Sequence, residues 1–230
     1  MQEYLPAVST YAADIDNLIL LVLVLVGPWF VVCNVVFFYF IYRYRAKPGV
    51  PSGYVTGEEK ELKRFVTFPH LLVLLFDLLI IYGAVRVWVD VKQTLPEAPY
   101  ETVRIIGQQW AWSFVHAGPD GKLDTADDIK TVEDLHIEVN KPYVYELEAR
   151  DVLHSFSVPV FRLKQDAIPG RVIKGWFQAS TTGEYDIQCA EICGIGHGVM
   201  FGRIKIESAE QHAAWMAEHA TLSPSALAAR

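Results

Sequence analysis

The chain has 230 residues, 52% of them hydrophobic and 20% charged, with a formal net charge of −7. That length holds one large or two small domains, and the apolar share is high for a soluble protein. The acidic balance excludes nucleic-acid binding through an excess of positive charge.

The apolar residues concentrate in two runs. Leu18 to Tyr42 covers 25 residues without a charge, and Phe65 to Val89 covers another 25, interrupted by His70, Asp77 and Arg86. At a rise of about 1.5 Å per helical residue, each run crosses a hydrocarbon layer of about 30 Å with some tilt. Two buried helices of a soluble protein are the alternative, and uncharged runs of this length are rare there. Cys33 lies inside the first span, where a small apolar thiol needs no further role. Between the spans, residues 44–64 form a polar loop broken by Pro48, Gly49, Pro51, Ser52 and Gly53. The spans therefore form an antiparallel hairpin.

Basic residues orient it. Arg43, Arg45, Lys47, Lys60, Lys63 and Arg64 cluster at the loop, whereas the segment before the first span carries only Glu3, Asp14 and Asp16. The positive-inside rule puts the loop in the cytoplasm and both termini outside. No basic region precedes the first span, so it reads as a retained helix; earlier removal of a short signal peptide stays open. Thr94 to Pro99, with Pro96, forms a linker. The expected domains are a transmembrane hairpin at 1–94 and an external domain at 95–230.

From Tyr100 the pattern changes to short alternating runs: Thr102–Ile106, Gln109–Val115, Leu135–Val139, Tyr143–Ala149, Ser155–Val158, Val172–Gln178, Glu184–Gln188 and Phe201–Ile206. Many short strands between turn signals predict an antiparallel sandwich or barrel. The acidic insertion at 117–128 does not meet EF-hand spacing and reads as a solvated hairpin loop. Ser208 to about His219 predicts a helix, with Ser208 and Gln211 as a capping box and Trp215 on one face.

Chemistry concentrates in Cys189-Ala-Glu-Ile-Cys193-Gly-Ile-Gly-His197-Gly-Val-Met200, with His154 upstream in Asp151-Val-Leu-His154-Ser. Several readings compete. In an oxidising compartment Cys189 and Cys193 form a disulfide by default. Zinc takes two Cys and two His, but Met is a poor zinc ligand and the spacing is not that of a finger. A mononuclear blue-copper site has one Cys fewer. Two thiolates, two imidazoles and a thioether suit two soft copper ions bridged by both sulfurs.

Along nearly its whole length the chain resembles subunit II of cytochrome c oxidase. The two spans, Gly107-Gln-Gln-Trp-Ala-Trp112, Asp151-Val-Leu-His154-Ser, Lys164-Gln-Asp-Ala-Ile-Pro-Gly-Arg171 and the Cys189–Met200 loop carry the resemblance. The loop has the form of the family's CuA signature. The resemblance implies an α+β membrane protein: a transmembrane helical hairpin followed by an all-β, cupredoxin-like Greek-key barrel. By the same resemblance Cys189 and Cys193 are bridging thiolates, and His154 and His197 are terminal imidazoles. Met200 is a weak axial ligand of one copper, and the backbone carbonyl of Glu191 that of the other. The Glu191 side chain is a magnesium ligand at the boundary with the catalytic subunit, and Trp110 is the surface aromatic through which cytochrome c passes its electron. Expected partners are the haem–copper catalytic subunit, other oxidase subunits, cytochrome c and membrane lipid, in the inner membrane of a bacterium with the copper domain in the periplasm.

The implied function is electron entry into an enzyme that reduces O2 to water on another chain. The CuA-bearing subunit of a nitric oxide reductase is the alternative. Quinol oxidases lack the copper ligands, soluble nitrous oxide reductase carries a second copper cluster, and a simple electron carrier needs at most one anchor. No Cys-x-x-Cys-His occurs, so no fused cytochrome c domain is expected. The start of the second span departs from the family pattern, in which a Glu and a Trp precede the membrane Pro. Here Glu61 stands nearby, the Trp is missing, and His70 and Asp77 follow Pro69. An acid within a span usually faces protein or a water-filled path. We therefore expect the His70–Asp77 face to pack against the catalytic subunit.

Overall fold

The computed structural model describes residues 5–51 and 53–220. Contacts divide the chain into a helical unit, Asp14–Val89, and a β unit formed by Asp90 onward together with the segment that ends at Ala13.

In the helical unit, α1 (Ala12–Arg43) and α2 (Lys60–Trp88) are both longer than their apolar runs, and α2 continues into a π turn at Val89–Gln93. Each is long and apolar enough to cross a membrane. Leu18, Leu21, Leu25 and Trp29 of α1, and Leu72, Phe76, Ile80, Gly83 and Val87 of α2, are the half-buried stripes. They recur at three- and four-residue steps, one face of a helix. Gly83 lets the helices approach: a Cβ there meets Leu18 and Leu21 side chains at 3.3 and 3.4 Å. His70, Asp77 and Arg86 are exposed and lie outside the α2 stripe. His70 Nδ1 sits 2.7 Å from the Val66 carbonyl one turn back.

The β unit has ten strands: β1 (Glu101–Gln108), β2 (Ala111–His116), β3 (Ile129–Val132), β4 (Asp134–Glu138), β5 (Pro142–Ala149), β6 (His154–Val158), β7 (Leu163–Ala167), β8 (Ile173–Gln178), β9 (Gly183–Cys189) and β10 (Phe201–Glu207). They form two five-stranded sheets, β3-β2-β1-β5-β8 and β4-β10-β9-β6-β7. Alternation drives the packing. In β10, Gly202, Ile204 and Ile206 face inward while Phe201 and Arg203 are exposed. Trp112, Phe114 and Phe156 meet edge-on in the core, with Ile105, Leu135, Leu147, Ile187 and Ile204 also fully buried.

Two features differ from the expected antiparallel array. The pairs β1–β5 and β4–β10 are parallel, because long crossovers bring non-consecutive strands together. Strands β3 and β7 were also not legible: Ile-Lys-Thr-Val is very short, and Leu-Lys-Gln-Asp-Ala is largely polar. One corner residue, Glu133 at φ 67°, carries the chain from β3 in one sheet to β4 in the other. Its carbonyl takes the Arg203 N–H at 2.6 Å, and a Cβ on Gly202 would collide with that carbonyl.

Residues 117–128 form the loop of the β2–β3 hairpin. Asp127 and Asp124 there are engaged by Thr125 and by Arg104, respectively. Helix α3 (Ala209–Ala220) follows β10, and its capping box is formed: the Gln211 N–H reaches Ser208 Oγ at 3.3 Å and the Ser208 N–H reaches Gln211 Oε1 at 3.0 Å.

A segment near the N-terminus completes the β unit. The Val8 N–H donates to Val160 O, Thr10 N–H to Gln178 O and Ser180 N–H to Val8 O, all within 3.0 Å. Val8, Tyr11 and Ala12 are buried, and Tyr11 stands edge-on to Trp176 at 5.2 Å. Arg162, in the left-handed region at φ 57°, aims its guanidinium at the carbonyls of Leu5, Pro6 and Pro159.

Candidate metal centre

The centre is assembled where β9 ends. Cys189 is the last residue of β9 and the loop 190–200 returns the chain to β10. The Cys189 N–H closes the loop on Met200 O at 3.2 Å. Register brings in the distant ligand: Phe156 of β6 pairs with Cys189, and the Ala190 N–H donates to Ser155 O, so His154 opens beside Cys189. A single turn over His197–Val199 folds His197 and Met200 back toward Cys193.

The donor atoms converge. Cys189 and Cys193 Sγ are 3.8 Å apart; His154 Nδ1 is 3.9 Å from Cys189 Sγ, His197 Nδ1 is 3.7 Å from Cys193 Sγ, and Met200 Sδ is 3.9 Å from Cys193 Sγ. A disulfide needs about 2.05 Å between sulfurs, and both cysteines are free and buried. A first-row ion bonded to sulfur at about 2.3 Å and nitrogen at about 2.0 Å holds those donors roughly 3.5 Å apart. The observed His–Cys separations match that to within a few tenths of an ångström. His154, Cys189 and Cys193 by themselves form a group able to hold a metal ion. Burial, with Cys189 adding to it, pushes the Cys193 thiol up to about 11, so a cation entering at neutral pH displaces its proton.

Two supporting residues had no role assigned from sequence. Asp151 Oδ1 takes the His154 Nε2–H at 2.9 Å, which turns Nδ1 toward the sulfurs. The other Asp151 oxygen takes the Gln109 N–H at 2.7 Å. Burial raises the Asp151 carboxyl, but the N–H donors of Gln109, His154 and Val152 outweigh it and hold it below its usual range. Gln109 Nε2 donates to Cys193 O at 2.8 Å. The three-residue step from Asp151 to His154 was the available signal; Gln109 had none, because its partner lies across the fold.

Residues 101–208 match the family described as cytochrome C oxidase subunit II, periplasmic domain. Over these residues the chain is similar to cytochrome c oxidase subunit II. It is 36% identical over 143 residues to the alternative cytochrome c oxidase subunit 2 of Bradyrhizobium diazoefficiens, covering 53% of this chain and 52% of that relative. It is 27% identical over 244 residues to cytochrome c oxidase subunit 2 of Cereibacter sphaeroides, covering 92% of this chain and 78% of that one. It thus spans about half the length of the first relative. Among solved structures, the periplasmic domain of subunit II of cytochrome oxidase from Bradyrhizobium japonicum is 29% identical, covers 55% of this chain and 96% of its own, and gives a TM-score of 0.49. Two apolar helices followed by two packed β-sheets are the order of elements that the resemblance implies.

Trp110 is not in a strand, although its alternating surroundings implied one. It sits in the β1–β2 turn and is 37% exposed, whereas Trp112 lies in β2, fully buried against His154. The Trp110 ring lies on the metal loop: Nε1 is 3.4 Å from Cys193 O, and a Cβ on Gly196 would come under 3.0 Å from three of its ring atoms. Glu191 has a half-buried side chain, and its carbonyl faces Cys189 Sγ at 3.3 Å. Gly196→Ala should therefore lower stability by about 1–3 kcal/mol through overpacking. In a Trp110→Ala background the same change should cost almost nothing. Equal losses of melting temperature in both backgrounds would show that the ring is not the obstacle.

Proposed function

We propose that this chain is the electron-entry subunit of a membrane-bound cytochrome c oxidase, receiving electrons from cytochrome c at a binuclear copper centre (CuA) and handing them to a haem-bearing catalytic subunit that reduces O2 to water. The observation that carries the reading is the pair of free sulfurs 3.8 Å apart, each with its own imidazole nitrogen and one with a thioether. Five such donors exceed the four that a closed zinc site takes, and their softness favours copper.

Cys189 and Cys193 would hold a copper pair through their thiolates, His154 and His197 through one imidazole nitrogen each, and Met200 and the Glu191 carbonyl as weaker donors. When bound, the copper pair supplies a one-electron store spread over two ions and two sulfurs. The protein's part is to keep the donors still. Asp151 holds His154, Gln109 holds the Cys193 carbonyl, and the sheet register holds Cys189, so little rearranges as charge arrives and leaves. The Glu191 side chain is assigned to a magnesium ion at the boundary with the catalytic subunit.

Both spans sit in a bacterial inner membrane, with the basic loop in the cytoplasm and the copper domain in the periplasm. Asp77 on the α2 face away from α1 supports packing against the catalytic subunit, because a carboxylate among lipid tails costs about 2.5–3.5 kcal/mol.

Trp110 is the entry point for the electron. Beyond Asp90 the chain has 13 Lys and Arg against 19 Asp and Glu, a formal −6 that steers a basic donor. In the assembled complex, electron entry from a basic cytochrome c should slow as salt rises. Trp110→Ala should slow entry more than about tenfold with its copper retained, a barrier raised by about 1.4 kcal/mol or more. Salt-independent entry together with an unchanged Trp110→Ala rate would overturn the route. Consumption of nitric oxide and not O2 by the purified complex would overturn the assignment of the gas.

A further inference from the structure

Four of the chain's seven histidines surround one indole, and none of the four is among the donors of the metal centre. Trp215 of α3 stacks on His136 with centroids 4.2 Å apart and planes 8° from parallel. His116 stands edge-on at 5.0 Å, and His212 and His219 lie at 5.7 and 4.8 Å. His116 comes from β2, in one sheet, and His136 from β4, in the other. Helix α3 also meets β3 and β10. It thus closes the side of the sandwich where the edge strands β3 and β4 run, and Trp215 is its anchor.

Hydrogen bonds hold the cluster together. The Glu138 N–H reaches Tyr143 Oη at 2.9 Å, the Tyr143 hydroxyl faces His212 Nε2 at 3.4 Å, and His212 Nδ1 meets Glu207 Oε2 at 3.0 Å. The other Glu207 oxygen takes His136 Nδ1 at 2.7 Å. His116 has the Thr131 hydroxyl at 3.5 Å and, among the described residues, no carboxylate bonded to it, and His219 Nδ1 meets Trp215 O. The charged and titratable groups around the indole cluster are Glu101 from β1, His116 from β2, Asp134, His136 and Glu138 from β4, Lys141 and Tyr143 at the start of β5, Lys205 and Glu207 from β10, and His212 and His219 from α3, which also carries Glu210 and Glu218. Lys205 is paired with Asp134 at 2.7 Å, and Lys141 with Glu101 and Glu138 at 2.8 and 3.4 Å. Glu207 is bonded to two of the rings, His136 and His212, and is thus already shared.

We propose that α3 is an acid-operated latch, docked through Trp215 at neutral pH and lifted from the two sheets when the surrounding pH falls below about 6. Each added proton puts a cation beside neighbouring imidazoles, where Glu207 is already shared by two rings. Burial, and then His136, His212 and His219, push His116 down to about 3. Burial also lowers His136, against the opposing pull of Glu207. A group lowered in the docked state stabilises docking fully above its open-state value and progressively less as pH falls. His116 alone, at its ordinary value near 6.5 when opened to water, raises the opening constant about 30-fold between pH 7.5 and 5.0. Undocking bares the indole face and edge strands β3 and β4, so the acid form offers new surface.

The test is amide hydrogen exchange of the full chain in detergent micelles, corrected for intrinsic rates, at pH 7.5 and 5.0. Residues 209–219 should lose protection about 30-fold or more at the lower pH while β5, residues 142–149, keeps its own. His116→Phe keeps a ring without a proton site and should remove about 30-fold of that response. Equal α3 protection at both pH values would overturn the latch. So would loss of β5 protection in step with α3, or a full wild-type response in His116→Phe. Should His116→Phe not fold, the wild-type comparison of α3 with β5 decides by itself.

Discussion

Replacing either cysteine, Cys189→Ser or Cys193→Ser, should abolish the proposed binuclear copper centre of this 230-residue chain, with copper falling below two ions per chain and the mixed-valence electron-paramagnetic signal lost. The reason is geometric. The sulfurs lie 3.8 Å apart with one imidazole nitrogen beside each, so both are placed to be shared, and losing one removes a bond from both ions. Serine keeps the shape but offers a hard oxygen that does not select copper. Changes to outer-shell partners alone cost about 10–100-fold in metal affinity, so a bridging ligand should cost more. Asp151→Asn falls in that milder class, because it weakens the hold on His154 without removing a donor. Two coppers with an intact mixed-valence signal in either serine variant would refute the bridged site. One copper or a zinc ion in the unaltered protein would refute it more directly.

Tyr11→Ala should lower the melting temperature of the β unit by roughly 10 °C, the largest stability effect expected outside the metal centre. Removing a buried aromatic ring costs about 3–5 kcal/mol, and a unit of this size loses roughly 2–4 °C per kcal/mol. Tyr11 is 4% exposed, sits edge-on to Trp176 and points its hydroxyl at the Trp176 carbonyl. Its neighbours Val8, Ser9 and Thr10 bond to Val160, Phe161 and Gln178. Tyr54→Ala is the control, since Tyr54 is 90% exposed. Equal melting of both variants would show that the segment is only a tether. A fragment that starts at residue 95 lacks this segment and should be less stable than one in which residues 5–13 are joined to it through a flexible linker.

How much of this was legible depends on how local each signal is. The two long helices were readable because an apolar run is a matter of composition over 25 consecutive residues; α1 contains the first run, and α2 with the π turn after it contains the second. Eight strands were readable from alternation over five to eight residues. Strands β3 and β7 were not, because one is four residues long and the other has a polar middle. Trp110 was misplaced for the same reason: alternation continues through the turn that holds it.

By itself the sequence determined the spans, the sandwich class, the capping box at Ser208 and the loop that carries Cys189, Cys193, His197 and Met200. All of these are written in neighbouring residues, where chain connectivity sets the distances. The tertiary structure alone decided the parallel pairs β1–β5 and β4–β10, the packing of Tyr11 on Trp176, the hold of Asp151 and Gln109 on the metal loop, and the four histidines around Trp215. Each of those depends on register between segments far apart in the chain. No local periodicity carries such register, because it is set by which buried faces fit together once the two sheets close.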